Sequence, residues 1–184
     1  MNIGLSQRIL YHRGRAYDGL EHGWYSYLSQ HALYPIPNTV RLDFDTLAEA
    51  TDLYIITGGD DSALRRTVEL KMASAMLKLK KPIIGVCHGA FLLTDILGGQ
   101  VSPVESHSDT VHQINYFGDQ VWVNSYHNLA IVQPHDRATV LATDADNHCE
   151  AWVDGNIAAV VWHPERMEHP WLPDEILNLM KEPQ

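Results

Sequence analysis

A mainly parallel β-sheet covered by helices on both faces, an α/β fold, is what this sequence predicts. Three observations carry that expectation. The apolar runs Leu53 to Thr57 and Ile83 to Val86 show no polar alternation, as strands buried on both faces require. Helical spacing follows each run, over Ser62 to Leu79 and over Ala90 to Leu97, so strands and helices alternate as in βαβ units. Glycines stand where the runs end, at Gly58-Gly59 and on either side of Cys87. That is the carboxyl edge of the strands, where ligands collect in such sheets.

From the N-terminus, Ile3 to Ser6 reads as the first strand. Asp18 to Ala32 places Leu20, Trp24, Tyr27, Leu28 and Ala32 at the spacing of an amphipathic helix. A second strand is predicted near Val40 to Leu42, then a short helix over Asp45 to Thr51. Ser62 is placed to cap the long helix, because its side-chain oxygen can accept from an orphan N–H of the first turn. From Val101 the pattern changes to strand runs at Val111 to Asn115, Val121 to Val123, Ile131 to Val132, Thr139 to Ala142 and Ala151 to Val153. These predict a small antiparallel β layer, after which Ile157 to Trp162 returns to the main sheet. Leu172 to Lys181 reads as a closing helix with Pro173 in its first turn. No repeat, low-complexity block or linker divides the 184 residues, so one domain spanning 1–184 is expected.

Composition narrows the function. A net charge of −10, from 13 Lys and Arg against 23 Asp and Glu, argues against nucleic acid, which needs a clustered basic surface. The tight basic group Lys78, Lys80 and Lys81 ends a predicted helix, where the dipole favours cations. No apolar run approaches the roughly 20 residues that span a bilayer. Met1 to Arg8 lacks the apolar core of a signal peptide, so no membrane partner is expected and the cytoplasm is the expected compartment. Cys87 and Cys149 fit neither a zinc spacing nor a disulfide framework, and Cys149 reads as structural. His163, Glu165 and His169 lie scattered without a close His-x-x-x-His pair, so neither metal nor cofactor is expected.

The reactive group is read at Gly85-Val86-Cys87-His88-Gly89, between a strand and a helix. A nucleophile between two glycines at such a turn has the layout of a nucleophile elbow, which aims the side chain outward over the sheet edge; the pentapeptide alone also fits a buried cysteine at a glycine-punctuated strand end. A helix beginning at Cys87 directs its positive end at the sulfur and favours thiolate. A second run, Val160-Val161-Trp162-His163-Pro164-Glu165, ends in a histidine and a carboxylate two residues apart. A cysteine nucleophile needs a base and a group that orients the base, and His163 with Glu165 can supply both. Read alone, His-Pro-Glu also fits a surface loop. The backbone N–H of His88, just after the nucleophile, is placed to hold the oxyanion formed by attack on a carbonyl. Gly58-Gly59-Asp60-Asp61 fits a plain turn equally well, and Asn124 to Asn128 fits a polar loop after a strand.

Gly85-Val86-Cys87-His88-Gly89, Thr57-Gly58-Gly59-Asp60, Val123-Asn124-Ser125-Tyr126-His127 and Trp162-His163-Pro164-Glu165 occur in the order seen in class I glutamine amidotransferase domains, which this chain resembles. The Val-Asn-Ser-x-His element is similar to that of the gamma-glutamyl hydrolase branch, peptidase family C26. The resemblance implies a flavodoxin-like class I glutamine amidotransferase fold and a triad of Cys87, His163 and Glu165. It also implies a second oxyanion donor at Gly59, with Gly58 and Asp60 beside the substrate. Asn124, Ser125 and His127 would line the substrate pocket, with Tyr126 acting mainly through its backbone. One position departs from the family: Phe91 stands where a glutamine usually helps bind the glutamyl unit.

A cysteine hydrolase that cleaves a gamma-glutamyl amide through a thioester and releases glutamate is the function so implied. A glutaminase subunit that passes ammonia to a separate synthetase partner is the alternative, and a non-catalytic binding module is a third reading, resting on Phe91 alone. Gly4-Leu5-Ser6-Gln7-Arg8, Tyr17-Asp18-Gly19-Leu20 with Trp24, and Thr57-Gly58-Gly59-Asp60 resemble the gamma-glutamyl-CDP-amidate hydrolases of bacterial capsule phosphoramidate synthesis. A nucleotide-linked small-molecule substrate is then expected, with Arg8 at the end of the first strand gripping a phosphate. A solvated surface arginine is the competing reading of Arg8. A homodimer is compatible with the sequence.

Overall fold

The computed structural model describes residues 1–104 and 108–181, so 105–107 and 182–184 of the expected 1–184 domain lie outside the described residues. In chain order the elements are β1 (Asn2–Ser6), β2 (Arg8–His12), β3 (Arg15–Gly19), α1 (His22–Tyr27), β4 (Ala32–Ile36), α2 (Phe44–Ala50), β5 (Leu53–Ile56), α3 (Ala63–Lys78), β6 (Ile83–Val86) and α4 (His88–Ile96). There follow β7 (Gln100–Pro103), β8 (Ser108–Tyr116), β9 (Asp119–Tyr126), β10 (Leu129–Gln133), β11 (Thr139–Thr143), β12 (Cys149–Asp154) and β13 (Ile157–Val160), then a 3-10 turn at Pro164–Arg166 and α5 (Asp174–Leu179).

The main sheet runs β4-β1-β5-β6-β13-β12-β11-β8-β9, with β10 joined to β12 and β7. Pairing is parallel from β4 to β13, with Ile55 of β5 set against Leu5 on one side and Ile84 on the other. Every residue of β5, β6 and β13 is buried, so both faces of the sheet's centre are covered. The antiparallel strands expected after Val101 continue this sheet through the β12–β13 pair, in which Trp152 faces Ala159. A separate two-stranded sheet, β2–β3, projects from the end of β1. The expected cap on α3 is present, as Arg65 N–H donates to Ser62 Oγ at 3.2 Å.

The N-terminal quarter departs from the sequence expectation. Asp18 to Ala32 is not one helix: Asp18 ends a hairpin, only His22–Tyr27 is helical, and Ala32 opens β4. The apolar spacing belongs to the short helix and its exit, where Trp24 and Leu28 are buried. Asp18 is held elsewhere, accepting from Asn38 Nδ2 at 2.6 Å and from Asn38 N–H at 3.1 Å. The strand expected at Val40 to Leu42 is a turn, and the second parallel strand is β4. Pro35 hid it, since proline cannot donate to a ladder. At the edge position that β4 occupies, the missing donor costs nothing. Pro173 sits just ahead of α5 at its cap rather than in its first turn.

Candidate active site

Four parallel strands deliver the site at their carboxyl ends. Arg8 follows β1, Gly58-Gly59 follow β5, Cys87 follows β6, and His163 lies beyond β13. Cys87 has φ 51° and ψ −105°, a left-handed backbone that a non-glycine residue adopts only under constraint. The constraint is visible. Cys87 N–H donates to Val160 O at 2.9 Å, and the Cys87 carbonyl accepts from Ala90 and Phe91 as α4 begins. The flanking glycines allow close passage, since a Cβ on Gly85 would meet the Gly89 carbonyl and one on Gly89 would meet the Ile56 carbonyl. Cys87 thus stands at the N-terminus of a nine-residue helix, where the dipole favours an anion.

Across from the sulfur, His163 Nδ1 lies 2.6 Å from Glu165 Oε1 in a buried pair. Burial opposes charge on this imidazole. Hydrogen bonds to Cys87 and Glu165, helped by the Glu165 charge, win and raise its pKa to about 9. Glu165 Oε2 is buried with no hydrogen-bond partner among the described residues. Arg166 Nε is 3.9 Å from Oε1, and Gly23 of α1 packs so closely that a Cβ there would lie 2.6 Å from the Glu165 carbonyl oxygen. Gly58 closes the other side, where a Cβ would strike the His163 ring and lie 3.3 Å from Cys87 Cβ.

A cavity of about 580 Å³ opens over this group. Arg8, Gly59, Asp60, Cys87, His88, Phe91, Tyr126, His127, His163 and Arg166 are among its lining residues. Asn124 and Ser125 do not line it. Asn124 instead clasps His163, with Nδ2 donating to the His163 carbonyl and His163 N–H donating to Oδ1, both at 2.8 Å. Ser125 Oγ lies 3.0 Å from His127 Nε2, while Nδ1 of His127 donates to Leu129 O at 2.7 Å. Phe91 packs edge-on against His127 at 5.8 Å, so its ring joins the apolar wall. Tyr126 was expected to act through its backbone, yet its ring meets His163 edge-on at 5.6 Å and lies under Arg166 at 4.6 Å.

Arg8 does not end the first strand, which stops at Ser6; it opens β2. Nε donates to Gly58 O at 3.1 Å and Nη2 to Glu21 Oε2 at 3.1 Å. Glu21 also receives both Nε and Nη2 of Arg166, at 2.9 and 2.7 Å. The Arg166 hydrogen bonds, opposed in part by burial, hold its carboxyl below the usual carboxylate range. Two guanidinium groups therefore share one carboxylate at the rim of the cavity, leaving this cluster net positive.

Sequence reading missed a buried chain behind the two predicted oxyanion donors. Arg65 Nη2 donates to Thr57 O at 2.6 Å and Gly58 O at 3.3 Å, Nη1 to Asp60 O at 3.1 Å, and Nε to Glu69 Oε1 at 2.8 Å. Glu69 Oε2 then lies 2.8 Å from His88 Nε2. Burial would push the Glu69 carboxyl upward, but His88 and Arg65 outweigh it and the pKa is lowered. The 58–60 loop and the residue after Cys87 are thus tied to one ion pair on α3. An arginine and a glutamate four residues apart on a helix have the spacing of an ordinary solvated pair, yet Arg65 and Glu69 are both fully buried. Asp144, Asp146 and His148 also converge, but there Asp144 closes a turn by accepting from both backbone N–H groups and facing His148 Nδ1 at 2.8 Å.

A thiol on a strained strand–helix turn thus stands beside a buried histidine–carboxylate pair at the carboxyl edge of an α/β sheet. The chain belongs to the class I glutamine amidotransferase family, whose model matches residues 17–180. It is 28% identical over 185 residues to a gamma-glutamyl-CDP-amidate hydrolase of Campylobacter jejuni subsp. jejuni, with 90% of each chain covered. It is 30% identical over 138 residues to a glutamine-hydrolysing GMP synthase of Aeropyrum pernix; the match takes in 67% of this chain but 26% of that longer protein. Among solved structures, a glutamine amidotransferase from Thermotoga maritima has the same fold, with a TM-score of 0.68 at 16% identity over 89% of this chain and 76% of that one. No helix among the described residues is long and apolar enough to cross a membrane.

Proposed function

We propose that this protein is a cysteine hydrolase that cleaves a gamma-glutamyl amide bond and releases glutamate. The observation that carries the reading is the strained Cys87 turn set beside the buried His163–Glu165 pair at the carboxyl ends of the parallel strands. The Cys87 thiolate attacks the gamma-carbonyl carbon, and the N–H groups of Gly59 and His88 receive the charge on oxygen. As the tetrahedral species collapses, the C–N bond breaks and the leaving nitrogen takes a proton from His163 Nε2. Water then attacks the Cys87 thioester, gives a proton back to His163, and frees glutamate and the thiolate. Glu165 keeps the imidazole oriented through Nδ1. Asp60, His127 and the Tyr126 ring border the glutamyl unit, Gly58 leaves room for His163, and Asn124 and Ser125 hold His163 and His127 from behind.

The amine side of the substrate is a nucleotide linked through phosphate, as in gamma-glutamyl-CDP-amidate. The likeness over 90% of both chains supports this, as does the net positive Arg8–Glu21–Arg166 cluster at the rim. Two free cysteines fit a reducing, cytoplasmic setting. The test offers gamma-glutamyl-CDP-amidate, gamma-glutamyl-aminobutyrate and glutamine to one preparation, then repeats the series with Arg8→Ala. Preference for the nucleotide, lost in the variant, is expected; equal cleavage of gamma-glutamyl-aminobutyrate would remove the nucleotide from the reading. The likeness to a glutamine-hydrolysing synthase favours a second reading, a glutaminase that serves a synthetase partner. It predicts near silence on every amide until that partner is added.

A further inference from the structure

The β2–β3 hairpin stands away from the core, with residues 11 to 18 all exposed. Its register pairs Arg8 with Gly19, Leu10 with Tyr17, and His12 with Arg15. Paired residues and every second position share one face of a hairpin. Arg8, Leu10, His12, Arg15 and Tyr17 therefore lie on one face, and Ile9, Tyr11, Ala16 and Asp18 on the other. The base of the first face is already part of the active-site cavity, because Arg8 lines it. Its far end carries a second hollow of about 340 Å³, lined by His12, Arg13, Arg15 and Tyr17.

Charge and fixation point the same way. In a chain of net charge −10, this hairpin holds Arg8, Arg13 and Arg15 against one acid, Asp18, and Asp18 is engaged with Asn38. Asn38 also donates to Gln7 O at 2.9 Å, so the hairpin is pinned where it leaves β1. Tyr17 is 49% exposed and Leu10 52%, and their cross-strand pairing sets the two side by side on the face that Arg8 shares. At about 3.3 Å per residue the platform extends roughly 7 Å from Arg8 to Leu10 and 13 Å to His12. That order is cation, flat ring, then further hydrogen-bond donors, counted outward from Cys87.

We propose that this face of the hairpin seats the nucleoside diphosphate on the amine side of the substrate. The phosphate nearest the scissile bond meets Arg8, Tyr17 and Leu10 pack against the ribose and base, and Arg15 with His12 donates to the base's outer acceptors. The proposal rests on the nucleotide reading given above and extends it to residues that touch no reacting atom.

Binding, not turnover, tests it. Cytidine 5′-diphosphate is titrated calorimetrically into Cys87→Ala protein, and into that protein also carrying Tyr17→Ala, Arg15→Ala or Tyr11→Ala. Loss of one base-stacking ring or one charged donor is expected to raise Kd on the order of tenfold. Tyr11, 78% exposed on the opposite face of the same hairpin, should leave Kd unchanged. Inorganic pyrophosphate should bind at least about tenfold more weakly than the nucleotide, for want of a base to stack. The proposal is overturned if cytidine diphosphate does not bind, or if Tyr11→Ala weakens it as much as Tyr17→Ala. Equal affinity for pyrophosphate overturns it too. Failure to hydrolyse gamma-glutamyl-CDP-amidate, with hairpin-dependent binding retained, would strike the proposed reaction and leave the nucleotide seat standing.

Discussion

Cys87 sits at φ 51° above a cavity, whereas Cys149 lies flat in β12 with its Sγ 3.4 Å from Ala151 O. Burial, with Glu150 beside it, pushes the Cys149 thiol up to about 12, so it stays protonated and inert at neutral pH. Cys87→Ala should therefore abolish hydrolysis with an unchanged circular dichroism spectrum, while Cys149→Ser keeps most of the rate; the reverse pattern would sink the assignment. His163 makes a pH prediction. Its folded pKa of about 9 lies above the roughly 6.5 of an unfolded histidine, so the folded state holds an extra proton between those values. Stability from this group is complete below about pH 6.5, declines as pH rises toward 9, and is absent beyond. The melting temperature should fall across that window, and His163→Ala should flatten the slope while costing on the order of 10²–10⁴-fold in rate. The turn at Cys87 and the His163–Glu165 pairing were legible in sequence because each is set by residues a few positions away. Glu21 and Arg166 were not, since 145 residues separate them and only the fold brings them together.

The same rule decided which elements could be read. Long, uninterrupted patterns such as Ser62 to Leu79 and the apolar run of β6 match the structure closely. Residues 8–36 mix a hairpin, a six-residue helix and a proline-bearing edge strand, each too short for periodicity to declare itself. The hairpin did leave one signal: Arg13-Gly14, with φ of 49° and 74°, forms the two-residue left-handed turn that glycine permits. At this scale α3 matters to the chemistry through Glu69, which links the Gly58 side and the His88 side through Arg65. Glu69→Gln keeps the shape and removes the charge that Arg65 and His88 face. Its kcat should drop on the order of tenfold with KM nearly unchanged, short of the 10²–10³-fold loss from deleting an oxyanion donor outright. A variant with the parent kcat would reduce the chain from α3 to a packing device. Melting temperature, read in parallel, separates unfolding from misalignment.

At the scale of the whole molecule, one continuous sheet joins two kinds of construction. The parallel half supplies the thiol and the predicted oxyanion donors, and the antiparallel half supplies Asn124, whose side chain holds the backbone of His163. Purified alone, the protein should release glutamate from a gamma-glutamyl amide without a second polypeptide, measured by a coupled glutamate assay. A rate that appears only with a synthetase would favour the ammonia-supplying reading. The Asn124 clasp also separates two kinds of damage. Cys87 N–H hangs from Val160 O, three residues before His163, whereas Asn124 grips the N–H and carbonyl of His163 itself. Asn124→Ala should therefore loosen the histidine and leave the sulfur where it is. Hydrolysis by that variant should fall further than the rate at which iodoacetamide alkylates Cys87, so the thiol outlives the machine built around it.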